Sequence, residues 1–449
     1  MNARPAPRRD ESIRSISLTG ARDLLPLAAS DPARYPCLLE SVGGAKKTAR
    51  YDILFAFPQQ TIEVRRDSNR RFLETLDAEW SSARSAERRD DLPFHGGWFV
   101  FLAYELAAEI EPTLRLADAP ESSLPIALAV RCPAAIIVDR LAQTTTLVAE
   151  SGFSHLLDTL KTDLAAANEK PEGSFRADAI REDEPQRFLE GVAKIHDYLR
   201  DGDTFQVNLS REWRAHCARG TRAADVYARL RLANPSPFSA LLQWNAWSVI
   251  SSSPERLVEV RDGVAQTRPI AGTRPRSNDD AERIRELITN PKERAEHVML
   301  IDLERNDLGR VCEAGSVRVD ELMSVESYAH VHHIVSNVSG TLRRDATPGD
   351  VIRAVFPGGT ITGCPKVRCM EIIAELEGVG RGAYTGALGY LDRNGDMDLN
   401  ILIRTLTLCD DRIRLRAGAG IVADSDAERE LDETRAKARG LLRALGAHS

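Results

Sequence analysis

Four glutamates offer the most explicit chemistry in the chain. Glu293 and Glu296 stand three residues apart, as do Glu430 and Glu433, and on a helix each pair projects two carboxylates from one face. Two such faces brought together would make an oxygen-rich site. A hard ion such as Mg²⁺ is held by one or two protein carboxylates, with substrate oxygens and water completing its shell. Spacing alone favours two solvated acidic faces. Lys437 follows Glu433 by four residues, which by itself is an ordinary helical ion pair.

Two glycine-rich segments could bring backbone close to a ligand, FPGGTITGCPK (356–366) and AGAGIV (417–422). Glycine permits such approach, and exposed N–H groups attract anions. A helix opening after Pro365 would add its positive end. The first segment is not a P-loop, because Lys366 does not directly follow Gly363 and Pro365 removes a donor. Arg404 ends the run Asn400-Ile401-Leu402-Ile403. An arginine in an apolar strand needs a carboxylate, either from a substrate or from within the protein. His332 and His333 are adjacent on an expected strand, so they face opposite ways and do not form a metal pair. DRNGDMDLN (392–400) fails as a calcium loop, with Met397 where glycine is needed and Ile403 where glutamate is needed.

Several elements are legible around these residues. Ser248–Ser253 and Leu257–Val260 read as strands, with a turn at Asp262-Gly263 returning through Val264–Ile270. Asn290-Pro291 opens a helix through Met299, and a second helix follows Pro365 to Gly378. Tyr384–Leu391 and Asp398–Leu408 read as strands about Asn394-Gly395. Asp410-Asp411 then turns the chain into Ile413–Ala417. A final helix covers Asp426 to Leu445, where Ser425 and Glu428 have capping-box spacing. Strict βα alternation is missing, which disfavours a doubly wound sheet. The expected class is α+β, with antiparallel sheets packed as a sandwich and helices outside. A polar stretch at 166–185 reads as a linker between an N-terminal region, 1–165, and a region at 186–449 holding nearly all the unusual chemistry.

The 449 residues carry 60 basic and 67 acidic side chains, a net charge of −7. That excludes a globally basic footprint for nucleic acid and leaves room for a local anion pocket. No apolar run is long enough to span a bilayer, and no signal peptide is read at the start. The seven cysteines form no C-x-x-C pair, which argues against a disulfide framework and for a reducing, cytoplasmic setting.

Taken together, the motifs resemble the chorismate-utilising enzymes. The matching segments are GDTFQVNLS (202–210), NPSPFSALL (234–242), SSSPERL (251–257), TRPIAGTRPR (267–276), KERAEHVMLIDLERNDLGRV (292–311), FPGGTITGCPKVRCMEI (356–372), DLNILIRTLT (398–407) and AGAGIVADSDAERELDETRAKA (417–438). Within that family QVNL, NPSPF, GGTITG and GALGYL with DLNILIRT are similar to the aminodeoxychorismate synthase component I branch. That branch replaces the C4 hydroxyl of chorismate with ammonia, toward 4-aminobenzoate and folate. The anthranilate synthase component I branch, which aminates C2 and expels pyruvate, is the alternative; a non-catalytic chorismate or tryptophan sensor is a third. The isochorismate branch is disfavoured, because its lysine base is Gln206 here. One departure stands out. Many members of the C4 branch have a nucleophilic lysine where this chain has Ala271, and alanine cannot attack. Cys364 also replaces a usual alanine, either as packing or as another nucleophile.

The resemblance implies roles. Glu296 and Glu433 would bind Mg²⁺, with Glu293 and Glu430 as second carboxylates through water. Tyr384, Arg404, Gly418, Gly420 and Lys437 would hold the substrate carboxylates. Glu255 would be the general acid for the leaving C4 hydroxyl. His333 and Thr360 would lie by the leaving group and ring, and Thr273 would touch substrate beside Ala271. LLES (38–41) resembles the segment where relatives bind tryptophan, which points to Ser41 and Phe238. No glutaminase signature is visible, so the ammonia would be free or would come from a separate glutamine amidotransferase subunit.

Overall fold

The strand Gly97–Leu102, sequence GWFVFL, is buried at every position, so it needs apolar cover on both faces. Phe99 and Phe101 pack with Phe55, Ile137, Leu242 and Val249 in a core shared by two sheets. Val100 and Leu102 point the other way, toward Phe72, Leu76, Ile301 and Ile352 of the covering helices. The second sheet alternates likewise. Leu242 and Val249 face the shared core, while Leu241 and Ile250 meet Leu160, Tyr227, Leu230 and Leu441 of the helices on its outer side. The result is the expected α+β sandwich with helices outside. The computed structural model describes residues 13–43, 50–121, 123–167, 171, 175, 177–275, 280–327 and 331–447.

Among the described residues one sheet has twelve strands and the other ten. Each sheet draws strands from both sides of the 166–185 connection. Cys37–Glu40 pairs with Phe238–Trp244, and Gly97–Leu102 pairs with Ala387–Asp392. Inside the connection, Asp178–Glu182 forms a strand against Gln206–His216. All seven cysteines are free thiols. No described helix is long and apolar enough to cross a membrane.

Local chemistry explains several elements. Asp262 and Gly263 both adopt positive φ, 55° and 70°, as a tight hairpin turn demands, and Arg256–Arg261 pairs with Val264–Thr267 across it. The helix at Pro291 runs further than expected, to Gly309. The helix Lys366–Glu377 ends at Gly378 in the left-handed conformation. At the last helix Ser425 is not the cap. Asp426 takes that place, its side chain accepting from the Arg429 amide at 3.0 Å.

One correction matters for function. The expected strand Asp398–Leu408 is two strands, Met397–Ile401 in the ten-stranded sheet and Thr405–Cys409 in the twelve-stranded one. The chain changes sheets at Leu402–Arg404, and Arg404 carries φ of +50°, a conformation that costs a side-chain-bearing residue about 1–3 kcal/mol. The apolar run Ile401-Leu402-Ile403 bridges the crossing, so the two strands read as one. Likewise Tyr384 lies in the turn before the strand Ala387–Asp392.

Candidate active site

A cavity of about 740 Å³ opens where the two sheets part. One wall is the antiparallel pair Gln206–His216 and Arg412–Ile421, in register with Asn208 opposite Gly420 and Ser210 opposite Gly418. Alternation sends Val207 and Leu209 into an apolar core and leaves Gln206 and Asn208 lining the cavity with Gly418 and Gly420. The glycines are required by crowding. A Cβ on Gly418 would stand 2.7 Å from Asn208 Oδ1 and 2.8 Å from the Tyr384 hydroxyl; one on Gly420 would stand 2.7 Å from Gln206 Nε2.

Glu255 and Thr360 also line the cavity, joined by a 2.7 Å hydrogen bond in which the threonine hydroxyl donates to Oε1. Burial pushes the Glu255 carboxyl up to about 7, against the Thr360 bond and the charges of Lys437 and Arg404. It is therefore an acid near neutrality. Arg404 lines the same space, its guanidinium pulled down by burial and held up by Glu255. Positive φ at the sheet crossing aims this side chain, as periodicity alone would not have suggested.

His333 is pushed down to about 4 by burial and by the charge of Arg404, so its imidazole is neutral. Its Nδ1 lies 3.3 Å from the Gly272 carbonyl. A carbonyl only accepts, so Nδ1 carries the proton and Nε2 is left as an acceptor. His332 turns away, with Nδ1 at 2.7 Å from the Ser327 hydroxyl, so the two histidines do face opposite ways. Ile270 and Gly272 line the cavity from the strand Ile270–Pro275. There Ala271 lies in register with Ile334 and Thr273 with His333; the side chains of Ala271 and Thr273 lie outside the described set.

Both acidic helix faces reach the cavity. Glu293 and Glu296 come from Pro291–Gly309, and Glu430 and Glu433 from Ala427–Ala444. The two faces therefore meet at one open space, where the Glu433 side chain keeps half its exposure. Glu433 pairs with Lys437 at 2.7 Å, Lys437 donates to the Gly418 carbonyl at 2.9 Å, and Glu430 accepts from the Ser425 hydroxyl at 2.7 Å. Among the described residues no three acidic, histidine or cysteine side chains cluster tightly enough to hold an ion unaided. An all-carboxylate set around an open space fits an ion of the Mg²⁺ type, which keeps water and takes oxygens from its substrate.

Tyr384 is buried, and burial pushes its hydroxyl up to about 12, so it stays a donor. The Arg381 guanidinium stacks 5.5 Å from its ring centroid and pairs with buried Glu377 at 2.6 Å. Cys364 does not line the cavity, and burial raises its thiol, which is the wrong direction for a nucleophile. Sequence reasoning gave no role to Asn208 or Arg416, both of which line the cavity. For Arg416 the signal was present: a charge inside RIRLRAGAGI, like that at Arg404.

Ser41 and Phe238 come together elsewhere, in a second cavity of about 160 Å³ with Leu39, Tyr51, Arg256 and Asp398. The Ser41 hydroxyl donates to the Tyr51 carbonyl at 3.0 Å, and the Arg256 guanidinium lies 5.1 Å from the Phe238 ring centroid.

Comparison with known proteins agrees with this architecture. The family of chorismate binding enzymes matches residues 36–443. The chain belongs to that family. It is 44% identical to an anthranilate synthase component I-like protein of Synechocystis, over 79% of this chain and 74% of that one. It is 41% identical to the aminodeoxychorismate synthase component 1 of Bacillus subtilis, over 82% and 80%. The structure of anthranilate synthase component I from Streptococcus pneumoniae superposes with a TM-score of 0.79 at 32% identity, covering 88% of this chain and 92% of that one. Membership establishes an enzyme acting on chorismate. Relatives of similar identity carry both synthase names, so resemblance does not choose the ring position that is aminated.

Proposed function

We propose that this chain is the synthase subunit that aminates chorismate at C4, forming 4-amino-4-deoxychorismate for 4-aminobenzoate and folate supply, with ammonia from a glutamine amidotransferase subunit. The observation that carries the reading is Glu255, a buried carboxyl about half protonated at pH 7, which accepts a bond from Thr360 and faces the same cavity as Arg404 and Lys437. An acid for the C4 hydroxyl serves both branches, and QVNL, NPSPF and GGTITG incline the reading to C4. Hydroxide is a poor leaving group, and a positioned acid makes it water. Ammonia's lone pair forms the C–N bond, the C4–O bond breaks, and the oxygen leaves as water with the Glu255 proton. The new ammonium group then returns one proton to the carboxylate, so atoms and charge balance.

Arg404, Tyr384 and Lys437, with the backbone at Gly418 and Gly420, hold the two substrate carboxylates. His333 stays neutral and offers Nε2 as an acceptor near the leaving group. With Ala271 in place of a lysine, ammonia attacks without a lysine-linked intermediate at that position. Mg²⁺, when bound, would be held by Glu296 and Glu433, with Glu293 and Glu430 through water, and would supply positive charge to the ring carboxylate.

Ala271 itself favours a second reading, amination at C2 with loss of pyruvate to give anthranilate. Product analysis separates the two. Protein, chorismate, Mg²⁺ and ammonium salt are combined at raised pH and resolved by mass spectrometry. A product retaining the enolpyruvyl group, converted to 4-aminobenzoate by added lyase, supports the first; anthranilate plus pyruvate supports the second and refutes the first. The second cavity, with apolar Leu39 and Phe238 beside Glu40, Arg50 and Asp398, suits an amino acid with an apolar side chain, and we assign it to tryptophan. Calorimetry showing no heat with L-tryptophan would refute that assignment.

A further inference from the structure

The cavity wall contains a polar atom that the proposed mechanism leaves without a task. Asn208 is 7% exposed, and its Oδ1 is buried with no hydrogen-bond partner among the described residues. It lines the cavity beside Gly418. A Cβ on Gly418 would stand almost equally close to this oxygen and to the Tyr384 hydroxyl, at 2.7 and 2.8 Å, so the two side chains share one corner. A buried acceptor left unpaired costs about 1–3 kcal/mol. The strand register creates the arrangement: Asn208 faces Gly420 and Ser210 faces Gly418, and both glycines vacate the space an opposing side chain would fill.

We infer that Asn208 is a ligand-contacting residue whose carboxamide oxygen accepts a hydrogen bond from a neutral N–H or O–H donor among the reactants, and that the attacking ammonia is the donor that fits best. The inference rests on the amination reading above. An acceptor is the wrong partner for either carboxylate of the substrate, so the anion-binding residues do not satisfy it. The chorismate dianion has one donor, its ring hydroxyl; ammonia has three. An N–H bond to Oδ1 leaves the nitrogen lone pair free for attack.

The test uses the whole chain with Asn208→Leu, which removes both polar atoms at similar size, and Asn208→Ala as a second variant should the first fail to fold. Chorismate affinity is measured by calorimetry with Mg²⁺ and no ammonium. Initial rates are measured against ammonium at saturating chorismate. We expect KM for ammonia to rise about tenfold, the ordinary worth of one buried neutral hydrogen bond, with chorismate affinity changed less than fivefold. A fivefold or greater loss of chorismate affinity instead upholds the contact and makes the ring hydroxyl the donor. Changes below fivefold in both constants, whatever happens to kcat or the melting temperature, overturn the inference, because a purely structural asparagine predicts that pattern. Where the wild type binds chorismate yet forms no aminated product, the proposed function fails and the affinity arm alone decides the contact. A wild type that does not bind chorismate overturns both.

Discussion

Thr360→Val should move the alkaline limb of the pH–rate profile upward. Glu255 is pushed to about 7 by burial and is pulled back down first by the 2.7 Å bond from Thr360. If its acid form drives departure of the hydroxyl, wild-type kcat/KM falls above pH 7. The protonated fraction is about one tenth at pH 8 and about one hundredth at pH 9. The threonine bond favours the carboxylate over the acid. A hydrogen bond to a charged group contributes about 1.5–3 kcal/mol. The protonated acid retains part of that, so removing the hydroxyl should displace the limb upward by about one pH unit. The assay is initial velocity against chorismate from pH 6 to 9 with saturating Mg²⁺. Ammonium deprotonates over part of this range, so rates are expressed per free ammonia. Thr360→Val should be slower at pH 6.5, yet lose less of its rate by pH 8.5. A limb that does not move, or moves to lower pH, refutes the claim that Thr360 tunes the acid. A flat wild-type profile refutes the acid itself.

Glu255 also sets a stability prediction of definite sign. Its folded-state value lies above its ordinary 4.5, so the native state binds more protons than the unfolded one, and stability falls as pH rises from about 4.5 to 7. Glu255→Gln should therefore be inactive yet more stable than wild type at pH 8, by up to about 3 kcal/mol, with the gain shrinking toward pH 4.5 in urea titrations. Glu433→Ala removes a proposed metal ligand and should raise the Mg²⁺ requirement at least tenfold; turnover with unchanged Mg²⁺ dependence would reject the assignment. Gly418→Ala places a methyl 2.7 Å from both Asn208 Oδ1 and the Leu209 carbonyl. The carbonyl is backbone and cannot swing aside, so we expect a loss of about 1–3 kcal/mol in stability and a raised KM for chorismate, read by thermal melts and kinetics. Ala271→Lys should yield a mass adduct with chorismate if position 271 faces C2; an unmodified protein in intact-mass spectra would speak against that placement.

Much of the site was legible because its residue types are costly anywhere else. Arg404 within an apolar run announces a partner, while the paired glutamates gained meaning only from the longer motifs around them. Local turn chemistry was equally readable, as Asp262-Gly263 demonstrates. The unread parts depend on contacts distant in sequence. Periodicity registers burial, and Ile401, Leu402 and Thr405 are buried on both sides of the point where the chain changes sheets. The acid character of Glu255 comes from its surroundings, not from SSSPERL. Asn208 sits at an alternate position of a strand, where a polar residue ordinarily signals solvent, and only the facing glycines of Arg412–Ile421 reveal a cavity there. Ser425 had the spacing of a cap, but its hydroxyl is engaged by Glu430, which leaves Asp426 to do that work.

The interleaving of the two sheets has a consequence for the order in which the protein can be made. Cys37–Glu40 pairs early with Tyr51–Ala56 but gains its other neighbour only in Phe238–Trp244, and Gly97–Leu102 pairs early with Ala127–Cys132 but completes its pairing only with Ala387–Asp392. On the ribosome one edge of each early strand therefore waits, that of Gly97–Leu102 until almost the whole chain has emerged. Contacts of such long range make folding slow and leave intermediates prone to associate. A chain ending at residue 300 would present Trp98, Phe99 and Phe101 with no strand Ala387–Asp392 to cover them. Truncated or nicked copies of this protein should accordingly aggregate rather than persist as soluble halves.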